Sequence, residues 1–194
     1  MQDFRAPLTH QPRRVLICGV TGAGKTTLAR ELSRRWALPY TEIDALYHGP
    51  NWQPREQFLD DVHVLAASEQ WVTEWQYLNL GAGPALGERA DTIIWLDLPR
   101  YQARWRLFRR TVRRRLRRER LFNGNVERPL HTFFSDPEHN ILRWEMQTHN
   151  AWRERFPAVL AQYPQATFIR LGSVRQVAFW LNGPAAQGVA RHPG

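Results

Sequence analysis

The sequence predicts an α/β fold, a parallel sheet with helices packed on both faces. Three observations predict it. Short apolar runs, each long enough for one strand, alternate with stretches of helical periodicity along the chain. The first run, Val15-Leu16-Ile17-Cys18, is apolar at every position, as a strand buried on both faces requires. It leads directly into Gly19-Val20-Thr21-Gly22-Ala23-Gly24-Lys25-Thr26, which fits the phosphate-loop pattern G-x-x-x-x-G-K-[ST] between a strand and a helix.

The elements follow in order. Residues 1–13 are polar and read as a flexible tail, residues 14–183 as a single domain. After the strand at 15–18 and the glycine-rich turn at 19–24, Leu28, Leu32 and Trp36 recur every fourth position and predict a helix over 25–36, ended by Pro39. Residues 40–43 form a second short strand, 44–51 a loop or short helix, and 54–68 a helix. Trp71-Val72-Thr73-Glu74-Trp75 is a third strand. Thr92-Ile93-Ile94-Trp95-Leu96 is a fourth, closed by Pro99. Over 101–116 the residues Tyr101, Trp105, Phe108, Val112 and Leu116 form one helical stripe, with arginines on the other faces. Residues 122–134 are loop-like, with Asn123-Gly124-Asn125 and Pro129 as breakers. Ser135-Asp136-Pro137-Glu138 opens a helix to about 156. A fifth strand spans 167–171, Ser173 and Gln176 cap a helix to 181, and 184–194 form a second flexible tail.

Composition excludes several classes. The chain has 194 residues, 43% of them hydrophobic, enough for one domain with its own core. Nine Trp and nine Phe argue against disorder. No run of 18 apolar residues predicts a membrane span, and the polar N-terminus does not read as a signal peptide. The single cysteine, Cys18, forms no internal disulfide and reads as a core residue, so a cytoplasmic location is expected. The net charge of +9 is local: Arg100 to Arg120 holds eleven Arg and one acid, Glu119, and the rest of the chain is nearly neutral. Such a field attracts the phosphates of nucleotides or nucleic acids.

The loop motif specifies ATP and Mg2+ as cofactors. Its glycines let backbone N–H groups converge on phosphate oxygens, and the following helix adds its positive end. The expected contacts are Gly19, Thr21, Gly22, Ala23, Gly24, Lys25, Thr26 and Thr27. Lys25 is the chain's only lysine beside 26 arginines, at the position where a compact ammonium must reach the β- and γ-phosphates. The Thr26 hydroxyl is a magnesium ligand. Two acids at strand ends, Glu74 and Asp97, are candidates to hold the metal from the other side. No Asn-Lys-x-Asp sequence reads guanine, so ATP is favoured over GTP.

Further segments add a resemblance. The phosphate loop, Glu42-Ile43-Asp44-Ala45-Leu46, Gly49-Pro50-Asn51-Trp52, Trp95-Leu96-Asp97-Leu98-Pro99, the Arg-rich helix, Asn123-Gly124-Asn125 and Ile141-Leu142-Arg143-Trp144 together resemble the adenylate-kinase-like proteins labelled "DNA topology modulation". The resemblance spans 15–181. It implies a three-layer P-loop NTPase fold with five strands in the order 2-3-1-4-5, an acceptor region at about 44–70 and an Arg-rich helical lid at about 100–140. In that order strand 3 borders strand 1, which favours Glu74 over Asp97 for magnesium. One departure stands out. Where the group reads Asp-Gly-Asn-Tyr, this chain has Glu74-Trp75-Gln76-Tyr77, with Trp75 expected to fill space at the substrate's edge.

By analogy with related small-molecule kinases, Asp44 at the end of strand 2 would orient or deprotonate an acceptor hydroxyl; the other reading is a helix cap. Trp52 reads as a stacking platform or a loop anchor, Arg55 as an acceptor-phosphate contact or an exposed charge, and His48 as a surface residue. Arg109 and Arg113, one turn apart, are expected to stabilise the transferring phosphoryl group, with Arg104 and Arg143 as further candidates. The first functional expectation is therefore an ATP-dependent kinase of a small molecule or nucleotide. The second is an ATP-binding regulator that holds nucleic acid through Arg100 to Arg120. Oligomeric state is not legible.

Overall fold

The computed structural model describes residues 1–117, 121–125 and 141–187, with the backbone alone for 141–151 and 187. In chain order the elements are β1 (Arg14–Gly19), α1 (Lys25–Trp36), β2 (Tyr40–Thr41), α2 (Ile43–Tyr47), α3 (Phe58–Ala67), β3 (Trp71–Glu74), α4 (Ala82–Gly87), β4 (Thr92–Leu96), α5 (Arg100–Leu116), α6 (Ile141–Gln162), β5 (Thr167–Leu171), α7 (Val174–Asn182) and α8 (Pro184–Gln187). The strands form one sheet in the order β2-β3-β1-β4-β5, and every pairing is parallel.

Alternation along β1 sorts the helices into layers. Val15 and Ile17 face α1, α7 and α8, in a cluster holding Leu28, Leu32, Trp36, Trp180 and Ala185. Leu16 and Cys18 face α3, α4 and α6, in a cluster holding Phe58, Val62, Leu86, Phe156 and Tyr163. The expected three-layer α/β architecture is thus present, with the strand order that the resemblance implied.

Several boundaries differ from expectation, each for a local reason. The strand expected at 40–43 stops at Thr41, because the Ile43 N–H leaves the sheet and donates to the Glu74 carboxylate at 3.4 Å. Asp44 therefore lies in the first turn of α2, not at a strand end. α4 was not anticipated; it forms with Ala82 and Leu86 fully buried. α6 continues past 156 to Gln162 despite Pro157, with Val159 and Leu160 packed on the core. The capping sequence at 135–138 lies outside the described residues, as does the lid region at 118–120 and 126–140. The two segments expected as tails make defined contacts. Gln2 donates its N–H to the Phe168 carbonyl at 2.8 Å along the open edge of β5, and Phe4 and Leu8 pack on the core. At the other end, α8 buries Ala185, whose carbonyl accepts the Trp36 indole N–H at 3.0 Å.

The face that α5 turns inward is the main surprise. Tyr101, Trp105, Phe108 and Leu116 are exposed, while Ala103, Leu107 and Thr111 are buried. The cause is a close approach to the phosphate loop. A Cβ placed on Gly22 would run into the Ala103 carbonyl oxygen, so the loop glycine lets the α5 backbone close on it at Ala103.

Candidate active site

The loop between β1 and α1 is built by positive-φ glycines: Gly19 at 142°, Gly22 at 84° and Gly24 at 99°. At Gly19 a Cβ would sit 2.7 Å from the Leu96 carbonyl oxygen, so the β1–β4 approach itself requires glycine there. Gly24 caps α1 without a side chain, and the first turn carries no acid. The first N–H groups of α1 have no intrahelical acceptor and carry the positive end of the helix. This is a site prepared for an anion. Ala23 and Lys25 are buried, Thr21, Gly22, Gly24 and Thr26 half-buried, and Thr27 is exposed. Lys25 Nζ donates to the carbonyls of Gly19 at 2.9 Å and Val20 at 3.2 Å. Burial lowers its pKa, Asp44 and Glu74 oppose that shift, and Arg110 adds to it.

Of the two candidate acids, Glu74 is the one beside the loop. It pairs in register with Ile17, is 1% exposed, and accepts from the Tyr40 hydroxyl at 2.8 Å. Burial first, then the Glu74 charge, raises the Tyr40 phenol far above its ordinary pKa. Asp97 is engaged elsewhere, with Arg153 at 3.0 Å and with Arg170, whose guanidinium lies 5.1 Å from the Trp95 ring. It serves as an ionic tie between β4, β5 and α6.

A second group of side chains faces Lys25 from α2 and the segment after β3. Asp44 accepts from the Tyr77 hydroxyl at 2.7 Å and from Gln76 Nε2 at 3.4 Å. Burial and the Asp44 charge hold the Tyr77 phenol protonated. His48 Nε2 lies 3.2 Å from the same phenol oxygen. With the phenol proton committed to Asp44, the His48 Nε2–H is the donor of that contact. Burial lowers the His48 pKa and Asp44 opposes the shift, so His48 is neutral near pH 7. It is half-buried rather than a surface residue.

Aromatic rings enclose this network. Tyr47 stacks on Tyr77 at 4.1 Å, and His48 stands edge-on to Trp52 at 5.1 Å and stacked with Phe122 at 6.1 Å. The turn that presents Trp52 is strained, with Asn51 at φ 57° and Trp52 at φ 62°. Asn125, buried, pins it: its Nδ2 donates to the Gly49 carbonyl at 2.8 Å and its Oδ1 accepts from Trp52 N–H at 3.1 Å. Asn123 Nδ2 donates to the His48 carbonyl. Sequence reading took both asparagines for loop breakers, and their polarity beside Gly124 was the available signal. Arg55 is paired with Asp61 at 3.0 Å and donates to the Leu46 carbonyl at 3.2 Å.

Trp75 takes no part in this network. It is 2% exposed, turned into the core against Trp152 and Tyr163, and its indole N–H donates to the Gly83 carbonyl at 3.1 Å. The arginines of α5 divide differently from expectation as well. Arg106 Nη1 lies 3.5 Å from the Ala23 carbonyl, and Arg110 is close enough to depress Lys25. Arg109 and Arg113 line a shallow groove on the outer side of α5 with Phe108, Val112, Leu116 and Arg117. The helical period explains this: Arg106 and Arg110 flank the buried Ala103 and Leu107, whereas Arg109 and Arg113 follow the exposed stripe.

Comparison with known proteins agrees with the fold. The sequence matches no family model. Over 90 residues it is 28% identical to the bifunctional pantoate ligase/cytidylate kinase of Gloeobacter violaceus, a match that takes in 45% of this chain and 17% of that protein. Among solved structures it is similar to a gluconokinase from Sinorhizobium meliloti 1021, with TM-score 0.53, 18% identity and 94% of each chain covered. It is also similar to a shikimate kinase from Acinetobacter baumannii in complex with shikimate, with TM-score 0.50, 14% identity, and 97% of this chain and 92% of that one covered. The chain shares the fold of these two kinases.

Proposed function

We propose that the chain is an ATP-dependent phosphotransferase that moves the γ-phosphoryl group of ATP to a hydroxyl-bearing small molecule. One observation carries the reading. A single buried lysine in an anion-ready loop stands between two carboxylates, Asp44 and Glu74, and two α5 arginines, Arg106 and Arg110. The acceptor oxygen attacks the γ-phosphorus, the bond to the β-phosphate oxygen breaks, ADP leaves, and the acceptor proton passes to the Asp44 carboxylate. Lys25 exchanges its loop carbonyls for phosphate oxygens. Arg106 and Arg110 flank the same phosphates as charge develops on them.

The donor set suits magnesium. Thr26 and Glu74 offer hard oxygens beside the loop, and no cluster of three His, Cys, Asp or Glu able to hold a metal occurs among the described residues. Magnesium takes few protein ligands and completes its shell with phosphates and water. When bound, it neutralises charge on the β- and γ-phosphates. The motif order along 15–181 supports a narrower placement in the topology-modulation group. No helix among the described residues is long and apolar enough to cross a membrane; the cytoplasmic location is proposed from the buried free thiol of Cys18.

Lys25→Ala tests the reading. Loss of a preorganised donor to the reacting phosphate is expected to lower kcat by about 10²-fold or more. The far-UV spectrum and melting temperature should stay close to wild type. Unchanged ATP turnover in a folded variant overturns the proposal.

A further inference from the structure

We infer that the acceptor is an uncharged, ring-bearing hydroxyl compound, and that anionic acceptors are disfavoured. This rests on the phosphotransferase reading and names the substrate class of that same cleft. Two features of the acceptor side point to it, its charge and its shape.

The carboxylates on this side are Glu42, Asp44 and Glu74. They stand close enough together that, after burial itself, the charges of Glu74 and Asp44 help to raise the Glu42 pKa. The described arginines nearest them are already engaged with acids: Arg30 with Glu42 at 3.3 Å, and Arg55 with Asp61 at 3.0 Å. His48 adds no positive charge near neutral pH, because burial holds it neutral. Lys25, Arg106 and Arg110 stand at the loop, where the ATP phosphates belong. With Glu42 paired to Arg30 and the magnesium charge answered by the ATP phosphates, a carboxylate or phosphate on the acceptor would face the Asp44 carboxylate, with no cation offered to it by the described acceptor side. A cationic acceptor gains little either. Glu74 is committed to Tyr40, the Ile43 N–H and the magnesium it would help to hold, Glu42 to Arg30, and Asp44 is the group that must receive the hydroxyl proton.

What this side does present is a run of half-buried aromatic rings, Tyr47, Tyr77, His48, Trp52 and Phe122, in which neighbouring rings lie 4.1 to 6.4 Å apart by centroids. The strained Asn51-Trp52 turn is held by a buried asparagine, so the platform is built and not a chance cluster. A flat neutral ring stacks on such a surface, while its hydroxyl is delivered to Asp44.

The test uses pairs of acceptors that differ in charge: cytidine against cytidine 5′-monophosphate, and the methyl ester of shikimate against shikimate. ADP release is followed with the full chain and magnesium-ATP, with Lys25→Ala as background. The neutral member of a pair is expected to show a kcat/KM at least ten times that of its anionic partner. Trp52→Ala and Phe122→Ala should raise KM for the neutral acceptor about tenfold and leave kcat within about twofold. A faster anionic member overturns the inference and leaves the phosphotransferase reading intact. Transfer to neither pair, with magnesium-ATP still bound, also overturns it. Failure to bind magnesium-ATP at all overturns the phosphotransferase reading as well.

Discussion

Asn51, Trp52, Tyr77 and Asn123, all with positive φ and none of them glycine, gather around the Asp44-Tyr77-His48 network, whereas Ala37 shares that conformation only as the C-cap of α1. A left-handed C-cap is ordinary; four strained residues on three separate loops need something to hold them. Asn125 and the Tyr77-Asp44-His48 chain supply that hold. The same chain makes stability depend on pH. Burial lowers the His48 pKa below its ordinary value of 6.5, so the unfolded chain takes up that proton more readily than the folded one. The contribution of His48 is full above that ordinary pKa and is lost as pH falls through it towards the lower folded value. Denaturant melts from pH 8 to 5 should show a steeper decline for wild type than for His48→Gln. Parallel curves would refute the assignment. Of these residues, sequence reading singled out Asp44 and Trp52 but left His48 at the surface. Nothing in the local pattern shows that Tyr77, 29 positions away, closes over it.

At the scale of elements, α1 and β1 were legible because each carries one unbroken period and a motif joins them. α5 was only half legible. Its aromatic stripe is the stronger periodic signal, yet the buried face is that of Ala103, Leu107 and Thr111, because the phosphate loop's Gly22 closes on the helix backbone at Ala103. Periodicity reports where apolar residues lie on a helix, not which face a neighbour's shape demands. The inversion shifts the expected arginine roles. Arg106→Ala and Arg110→Ala should each lower kcat by about 10-fold to 10²-fold, a fraction of what a principal transition-state donor is worth. Arg109→Ala and Arg113→Ala should change it less than threefold if α5 keeps this rotation during turnover. Steady-state kinetics on the four variants decide between the two pairs. The opposite ranking would show that a lid closes through a turn of α5, bringing the outer arginines onto the phosphates.

Over the whole molecule, the sheet separates two tasks. The α3, α4 and α6 side carries Trp75 and the large aromatic core, against which Tyr47 and Tyr77 pack. The α1, α7 and α8 side anchors the helix on which the phosphate loop is mounted. Trp36 at the end of α1 meets Trp180 edge-on at 5.9 Å and gives its indole proton to Ala185 of α8, while Arg35 donates to the Leu181 carbonyl. The chain from 184 onward was read as a tail because proline, glycine and alanine carry no helical period. Within its described part, 184–187, one carbonyl and one buried methyl group meet the α1 core, which composition does not reveal. Truncation after Gly183 leaves the Trp36 N–H without its acceptor and opens the end of the α1 core. It should lower unfolding stability by about 1–3 kcal/mol, the range for stranding a buried donor. Because the lost contacts lie at the far end of α1 from Lys25, the KM for ATP should stay within about twofold of wild type. Urea melts and ATP kinetics on the truncated chain measure both. An unchanged urea midpoint would mean that α8 only rests on the surface, and a large rise in KM would mean that the loop's geometry depends on the helix's far anchor.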